Sequence, residues 1–136
     1  MTDKLEFIDS NILVYLVDKY PTKKTKAEYL LMPNLIISTQ VIAENVNVCL
    51  KKLNFTKEES FAHGKTLIDK LTVVQIKIST VESAFILSKK YQLGWWDSLI
   101  VASALENNCE ICYSEDMQDG MVIESKLTII NPFKIK

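Results

Sequence analysis

Residues 5–8, Leu-Glu-Phe-Ile, form a short, mostly apolar run that stops at an acid, Asp9, and a helical apolar pattern begins immediately after it. That junction constrains the fold more than any other feature of the chain. A strand that ends in a carboxylate and feeds straight into a helix is the opening of an α/β unit. In open α/β sheets, ligands sit outside the carboxyl ends of the strands. Four further runs have strand character: 35–38, 73–76, 110–113 and 127–130. The first four runs are separated by helical patterns, which implies a largely parallel sheet of about five strands with helices on both faces. Right-handed crossovers then gather the strand carboxyl ends on one edge.

The helices are read from periodicity and capping chemistry. Ile12, Leu13, Leu16 and Val17 fit a short first helix, with Pro21 ending it or the loop behind it. Thr22 is suited to cap a second helix carrying Ala27, Leu30 and Leu31. A third helix, over about 39–53, places Val41, Ile42, Val46, Cys49, Leu50 and Leu53 on one face. Thr56-x-x-Glu59 and Ser79-x-x-Glu82 have the capping-box pattern and open the fourth and fifth helices. Gly94 is placed to close the fifth, and a sixth helix starts near Asp97. At 136 residues the chain reads as a single domain, 1–136, with no repeat or linker.

Several chemistries are excluded by what the sequence lacks. Its three glycines are too few and wrongly placed for a Walker loop or a dinucleotide fingerprint. His63 is the only histidine, so a histidine-based zinc site or catalytic dyad has almost nothing to stand on. It lies among Lys57, Glu58, Glu59 and Lys65 and is expected to be exposed. There is no arginine, so phosphate contacts fall to lysine, backbone N–H groups or a metal. A net charge of -1 offers no global attraction for nucleic acid, although local basic patches are allowed. Cys109-x-x-Cys112 has no second pair, and residues three apart cannot share a strand face. The odd cysteine count suits a reducing cytoplasm. The N-terminus shows no signal region, and no apolar run is long enough to cross a bilayer.

Acids remain as the carriers of chemistry. Asp9 and Asp116, just after the first and fourth strands, belong at the same sheet edge. Glu44 stands in the early turns of the third helix, opposite its apolar face, and reads either as a solvated surface residue or as a group leaning over that edge. Asp97 follows Trp95-Trp96 and opens a helix with almost no polar face. A carboxylate there must be satisfied by a cap or a cation, because an unpaired charge in apolar surroundings is costly. Glu115, Asp116 and Asp119 crowd one loop, and such like charges call for a cation or a proton between them. Asp9, Asp116 and Asp119 also have plain readings as cap or turn formers. An all-oxygen donor set suits Mg²⁺ or Mn²⁺ rather than zinc.

Four segments carry a family resemblance. They are Phe-Ile-Asp9-Ser-Asn-Ile-Leu-Val-Tyr, Ser-Thr-Gln-Val-Ile-Ala-Glu44-Asn, Trp-Asp97-Ser-Leu-Ile-Val-Ala-Ser-Ala-Leu and Tyr-Ser-Glu-Asp116-Met-Gln-Asp-Gly. In this order, over nearly the whole chain, they resemble PIN-domain nucleases, and more narrowly the VapC-type toxins of toxin–antitoxin pairs. The resemblance implies a three-layer α/β/α sandwich and Mg²⁺- or Mn²⁺-dependent hydrolysis of RNA. It assigns Asp9, Glu44, Asp97 and Asp116 to the metal site, Asp119 to a secondary position, and Ser10 and Ser114 to supporting hydroxyls. It also implies a cognate antitoxin and a homodimer, to which Val48 and the Trp95-Trp96 pair would offer apolar surface. The lack of arginine is a departure that leaves RNA positioning to lysine. Two other readings compete. A receiver-type signalling domain would bind Mg²⁺ through acids, but needs an acid after the third strand, where residues 73–79 have none. A non-catalytic RNA- or protein-binding module of the same fold is the third.

Overall fold

The computed structural model describes residues 4–134. Its elements run β1 (Glu6–Ile8), α1 (Ser10–Leu13), a 3₁₀ turn (Val14–Leu16), α2 (Pro21–Tyr29), β2 (Leu35–Ser38), α3 (Thr39–Lys51), α4 (Lys57–Lys70), β3 (Thr72–Val74), α5 (Ile78–Tyr91), α6 (Trp95–Glu106), β4 (Ile111–Tyr113), β5 (Val122–Ile123) and β6 (Leu127–Ile130). All five anticipated strands form and pair in parallel, in the order β3-β2-β1-β4-β6. A sixth, the two-residue β5, adds antiparallel to β6 at the edge. It was not legible because two residues carry no periodicity.

The strand order positions the site. From β1 the chain builds outward through β2 and β3, then returns across the sheet to place β4 on the other side of β1. The gap between the β1 and β4 ends is therefore the topological switch point, where open α/β sheets bind ligands. The order also removes the receiver reading. That fold belongs to the flavodoxin-like class, with β3 beside β1, whereas here β3 is an edge strand next to β2. Reversal of the build direction, with right-handed crossovers, puts α1–α4 on one face and α5–α6 on the other. Coverage on both faces explains why adjacent strand residues Phe7 and Ile8 are both fully buried.

The helix boundaries correct several expectations. Of the two roles expected of Pro21 it takes the second, closing the loop behind the first helix and opening α2 at its first turn, where its missing N–H costs nothing; Tyr20, not Thr22, is the N-cap. Thr56 and Glu59 make the reciprocal capping box as expected, at 3.0 and 2.9 Å. The box expected at Ser79 and Glu82 is absent. The Thr80 hydroxyl instead accepts from the Lys77 N–H at 3.1 Å, and α5 begins at Ile78. Gly94 does not close α5. Gln92 does, in the left-handed region at φ 57°, and Gly94 becomes the N-cap of α6. Asp97 is thus the third residue of α6 rather than its cap.

Helices α3 and α4 cross closely. At Gly64 an added Cβ would lie 2.9 Å from Val46 Cγ2, so a side chain there would force Val46 or the helices to shift. His63, on the same turn, is buried rather than exposed. Its neighbours in sequence are charged, but its ring points toward α3 and meets Asn45 Oδ1 at 2.9 Å. The three cysteines are free and buried, as core thiols. No helix among the described residues is long and apolar enough to cross a membrane.

Candidate active site at the carboxyl edge of the sheet

Asp9 is the N-cap of α1 and also a buried acid, 4 % exposed. The cap reading is borne out, and the capping carboxylate is buried instead of solvated. Its Oδ1 accepts from the Ser10 N–H at 2.7 Å, and its Oδ2 accepts from Ser114 Oγ at 3.0 Å and from Asn11 Nδ2 at 3.3 Å. Ser114 is the residue that follows β4, so this bond ties the two strand ends across the switch point. The Ser114 hydroxyl in turn accepts from the Met117 N–H at 3.2 Å, which fixes the loop carrying Asp116.

Glu44 is half-buried, not a solvated surface residue. Its Oε1 accepts from Ser10 Oγ at 2.8 Å and its Oε2 from Gln40 Nε2 at 3.3 Å. Ser10 thus stands between Asp9 and Glu44; its hydroxyl also lies 3.4 Å from Asp9 Oδ1. The Ser10 hydroxyl faces Asp9 and Glu44, and the Ser114 hydroxyl faces Asp9.

The acids perturb one another. Burial pushes the Asp9 carboxyl up to about 7 from 3.8, the bonds from Ser114 and Ser10 oppose the rise, and the charges of Asp97 and Glu44 add to it. The Asp97 carboxyl is also raised, by burial first and then by Asp116 and Glu44. The fold therefore brings Asp9, Glu44, Asp97 and Asp116 to one edge and leaves their charge uncompensated. Among the described residues no lysine forms an ion pair with any of the four.

The other acids of the loop are accounted for within the fold. Glu115 turns away, taking Lys23 Nζ at 2.5 Å and the Tyr15 hydroxyl at 2.7 Å. Asp119 Oδ1 accepts from the Asn131 N–H at 2.7 Å, just beyond β6. The crowding anticipated within residues 115–119 is thus relieved by a lysine and a backbone N–H.

Four positioning residues were not anticipated. Asn11 bonds Asp9 through Nδ2 and accepts from the Glu115 N–H through Oδ1 at 3.2 Å, bridging the first and fourth strand ends. Gln40, one turn before Glu44, was visible only as a helix-face neighbour. Asn45 is fully buried and donates to the main-chain oxygens of Ser10 and Val41 at 3.2 and 3.1 Å. His63 backs Asn45. No sequence signal marks Asn45 and His63, because their pairing spans two helices.

The donor set suits a hard divalent cation. All four side chains offer carboxylate oxygens, they repel one another, and among the described residues no lysine pairs with them. Among the described residues no three His, Cys, Asp or Glu side chains already enclose a common point.

No curated protein matches the sequence. Solved structures do match in fold. A toxin–antitoxin complex from Klebsiella pneumoniae superposes with a TM-score of 0.73 at 20% identity, over 96% of this chain and 99% of that one. The DNA-bound VapBC of Salmonella typhimurium gives 0.71 at 15% identity, over 93% and 97%. VapC20 of Mycobacterium tuberculosis, a sarcin-ricin-loop-cleaving toxin, gives 0.69 at 14% identity, over 82% and 89%. At these identities the likeness speaks for the fold. The PIN domain family model matches residues 7–118, the span that holds all four acids. With most of its length inside that match, and with its sheet and helices arranged as in the VapC toxins, the chain belongs to the PIN domain family.

Proposed function

We propose that residues 1–136 act as one domain, a metal-dependent endoribonuclease that is the toxin of a toxin–antitoxin pair. The observation that carries this reading is the uncompensated carboxylate quartet at the switch point of a PIN fold. A binding module has no use for four acids that repel one another and any phosphate brought to them.

Asp9, Asp97 and Asp116 would hold one or two Mg²⁺ or Mn²⁺ ions, with Glu44 beside them. When bound, such a cation supplies Lewis acidity toward a phosphodiester and a water that ionises near neutral pH. The chain's own residues do the rest. Ser114, Asn11 and the Ser10 N–H hold both oxygens of Asp9, so its carboxylate is oriented before anything binds. Ser10 and Gln40 fix Glu44 by one bond to each oxygen, and each oxygen keeps a lone pair to accept a proton from the attacking water. The water oxygen bonds to phosphorus as its proton passes to Glu44, the bond to the leaving ribose oxygen breaks, and that oxygen takes a proton from solvent. Asp119, with Oδ1 held by the Asn131 N–H, would contribute only as a secondary ligand through its other oxygen.

The test is RNA cleavage with Mn²⁺ or Mg²⁺, with EDTA, and by Asp97→Asn. Cleavage should vanish with EDTA and fall sharply in the variant. Equal rates in all three would sink the reading. We further propose a cognate antitoxin, a homodimer and a cytoplasmic setting. The structures that share this fold include toxin–antitoxin complexes. Phe61 and Ile68 on α4, and Ile78, Phe85 and Ile86 on α5, leave apolar surface for such partners. Co-expression with the neighbouring reading frame, followed by sedimentation, tests the antitoxin and the homodimer. A lone monomer across micromolar concentrations would refute them.

A further inference from the structure

The two adjacent tryptophans at the head of α6 have different surroundings. Trp95 stacks on Phe85 with ring centroids 5.4 Å apart and planes at 27°, which ties α6 to α5. Trp96 has no aromatic partner among the described residues and is 63 % exposed. It lines a cleft of about 710 Å³ together with the apolar side chains of Ala43, Ile76 and Leu99. Thr39 and Asn47 bring polar side chains to that cleft, and neither makes a side-chain hydrogen bond among the described residues. The remaining walls are Gln40 and Glu44.

Glu44 makes this cleft continuous with the acid site. Gln40 Nε2 donates both to Glu44 Oε2 at 3.3 Å and to the Trp96 carbonyl at 3.1 Å, so carboxylate and tryptophan main chain lie within two hydrogen-bond lengths of each other. The tryptophan also immediately precedes Asp97 in α6. A ligand spanning the acids therefore has an aromatic face on one side within reach of its next chemical unit.

We propose that this cleft is a nucleobase subsite. An unpaired base flanking the scissile phosphate stacks on Trp96, its edge facing the Thr39 hydroxyl and the Asn47 amide. The inference rests on the nuclease reading; the base it seats must be unpaired, because a base held in a duplex has no free face to offer. Four features agree with this occupant. The indole is large, flat and exposed; Ala43, Ile76 and Leu99 make part of the lining apolar; the Thr39 and Asn47 side chains suit a base edge; and the acids alongside would hold the cation that neutralises the phosphate. Stacking platforms of this kind tolerate any base because every base has a π-face, so strict sequence choice would fall to Asn47.

The experiment uses an oligoribonucleotide that the wild-type protein cleaves at one bond, and the same oligomer with an abasic ribose on either side of that bond. Kinetics are measured with Mn²⁺ for wild type, Trp96→Phe and Trp96→Ala. In Trp96→Ala, KM should rise roughly tenfold, the scale of one base on one aromatic side chain, while kcat moves much less. Trp96→Phe should recover most of the loss. One abasic oligomer should cost the wild type a similar factor and cost Trp96→Ala almost nothing more. An unchanged KM in Trp96→Ala, or equal abasic penalties in both proteins, overturns the subsite while wild-type cleavage still supports the nuclease. If the wild type cleaves no RNA, the nuclease reading fails separately. The subsite is then decided by Trp96 fluorescence in Trp95→Phe: quenching by single-stranded but not duplex RNA upholds it, and no quenching overturns it. Trp96 is exposed, so its replacement should leave the fold intact.

Discussion

Replacing Asp9 with Asn tests whether its buried charge is a liability that only a cation relieves. Burial and the charges of Asp97 and Glu44 raise the carboxyl from 3.8 to about 7. Because the folded-state value lies above the unfolded one, Asp9 contributes stability that is fully present below about pH 3.8 and is lost as pH rises through 7. At ~1.4 kcal/mol per pH unit, the loss between pH 5 and pH 8 is about 2–3 kcal/mol for the metal-free wild type. Asn has nothing to titrate. It also pays a constant cost, since its Nδ2 would meet the donating groups of Ser114 or Asn11. The informative quantity is therefore the change with pH. In urea unfolding with EDTA, the stability of Asp9→Asn relative to wild type should improve by about 2 kcal/mol from pH 5 to pH 8. Excess Mn²⁺ should reverse the advantage by stabilising wild type more. RNA cleavage should fall roughly a hundredfold or more, ~3 kcal/mol of lost electrostatic stabilisation. A difference that does not change with pH would mean that Asp9 ionises as freely in the fold as in the unfolded chain. Cleavage at the wild-type rate by a folded Asp9→Asn protein would refute the assigned site.

Four further outcomes are expected. Titration calorimetry should show Mn²⁺ binding to wild type that weakens sharply in Asp97→Asn; equal binding would remove Asp97 from the metal shell. Ser114→Ala should destabilise by about 1–3 kcal/mol in denaturant melts, because Asp9 Oδ2 and the Met117 N–H both lose a partner. Gly64→Ala should lower stability by about 1 kcal/mol, since the clash with Val46 Cγ2 exceeds the helix-propensity gain; a stabilised variant would show that α3 and α4 can move apart. Burial holds the His63 imidazole below its usual 6.5, so its contribution to stability is present above pH 6.5 and is lost as pH falls through the depressed value. Wild type should therefore lose stability relative to His63→Gln on going from pH 7 to pH 5, measured by thermal melts in EDTA.

Much of this molecule was already legible in its residues. The β1–Asp9–α1 junction, the alternation of apolar runs with helical patterns, and the nearly all-apolar stretch after Asp97 set the α/β class and the parallel core. They did so because burial on both sheet faces demands continuous apolar strands. The acids at 9 and 116 were placed by strand ends alone, since a parallel sheet brings such ends to one edge. Glu44 was not resolved, because its helix position is polar-sided whether it faces solvent or a cleft. What only the tertiary structure decided was strand order and pairing across elements. Both depend on contacts between residues far apart in sequence. The order β3-β2-β1-β4 put the switch point between Asp9 and Ser114 and discarded the receiver reading. Lys23 took Glu115 out of the acid cluster, the Asn131 N–H engaged one oxygen of Asp119, and His63 turned inward to Asn45. Periodicity reports which face of an element is apolar, but not which polar partner waits on the neighbouring element. A hydrogen bond or ion pair between distant segments exists only once the chain has closed on itself.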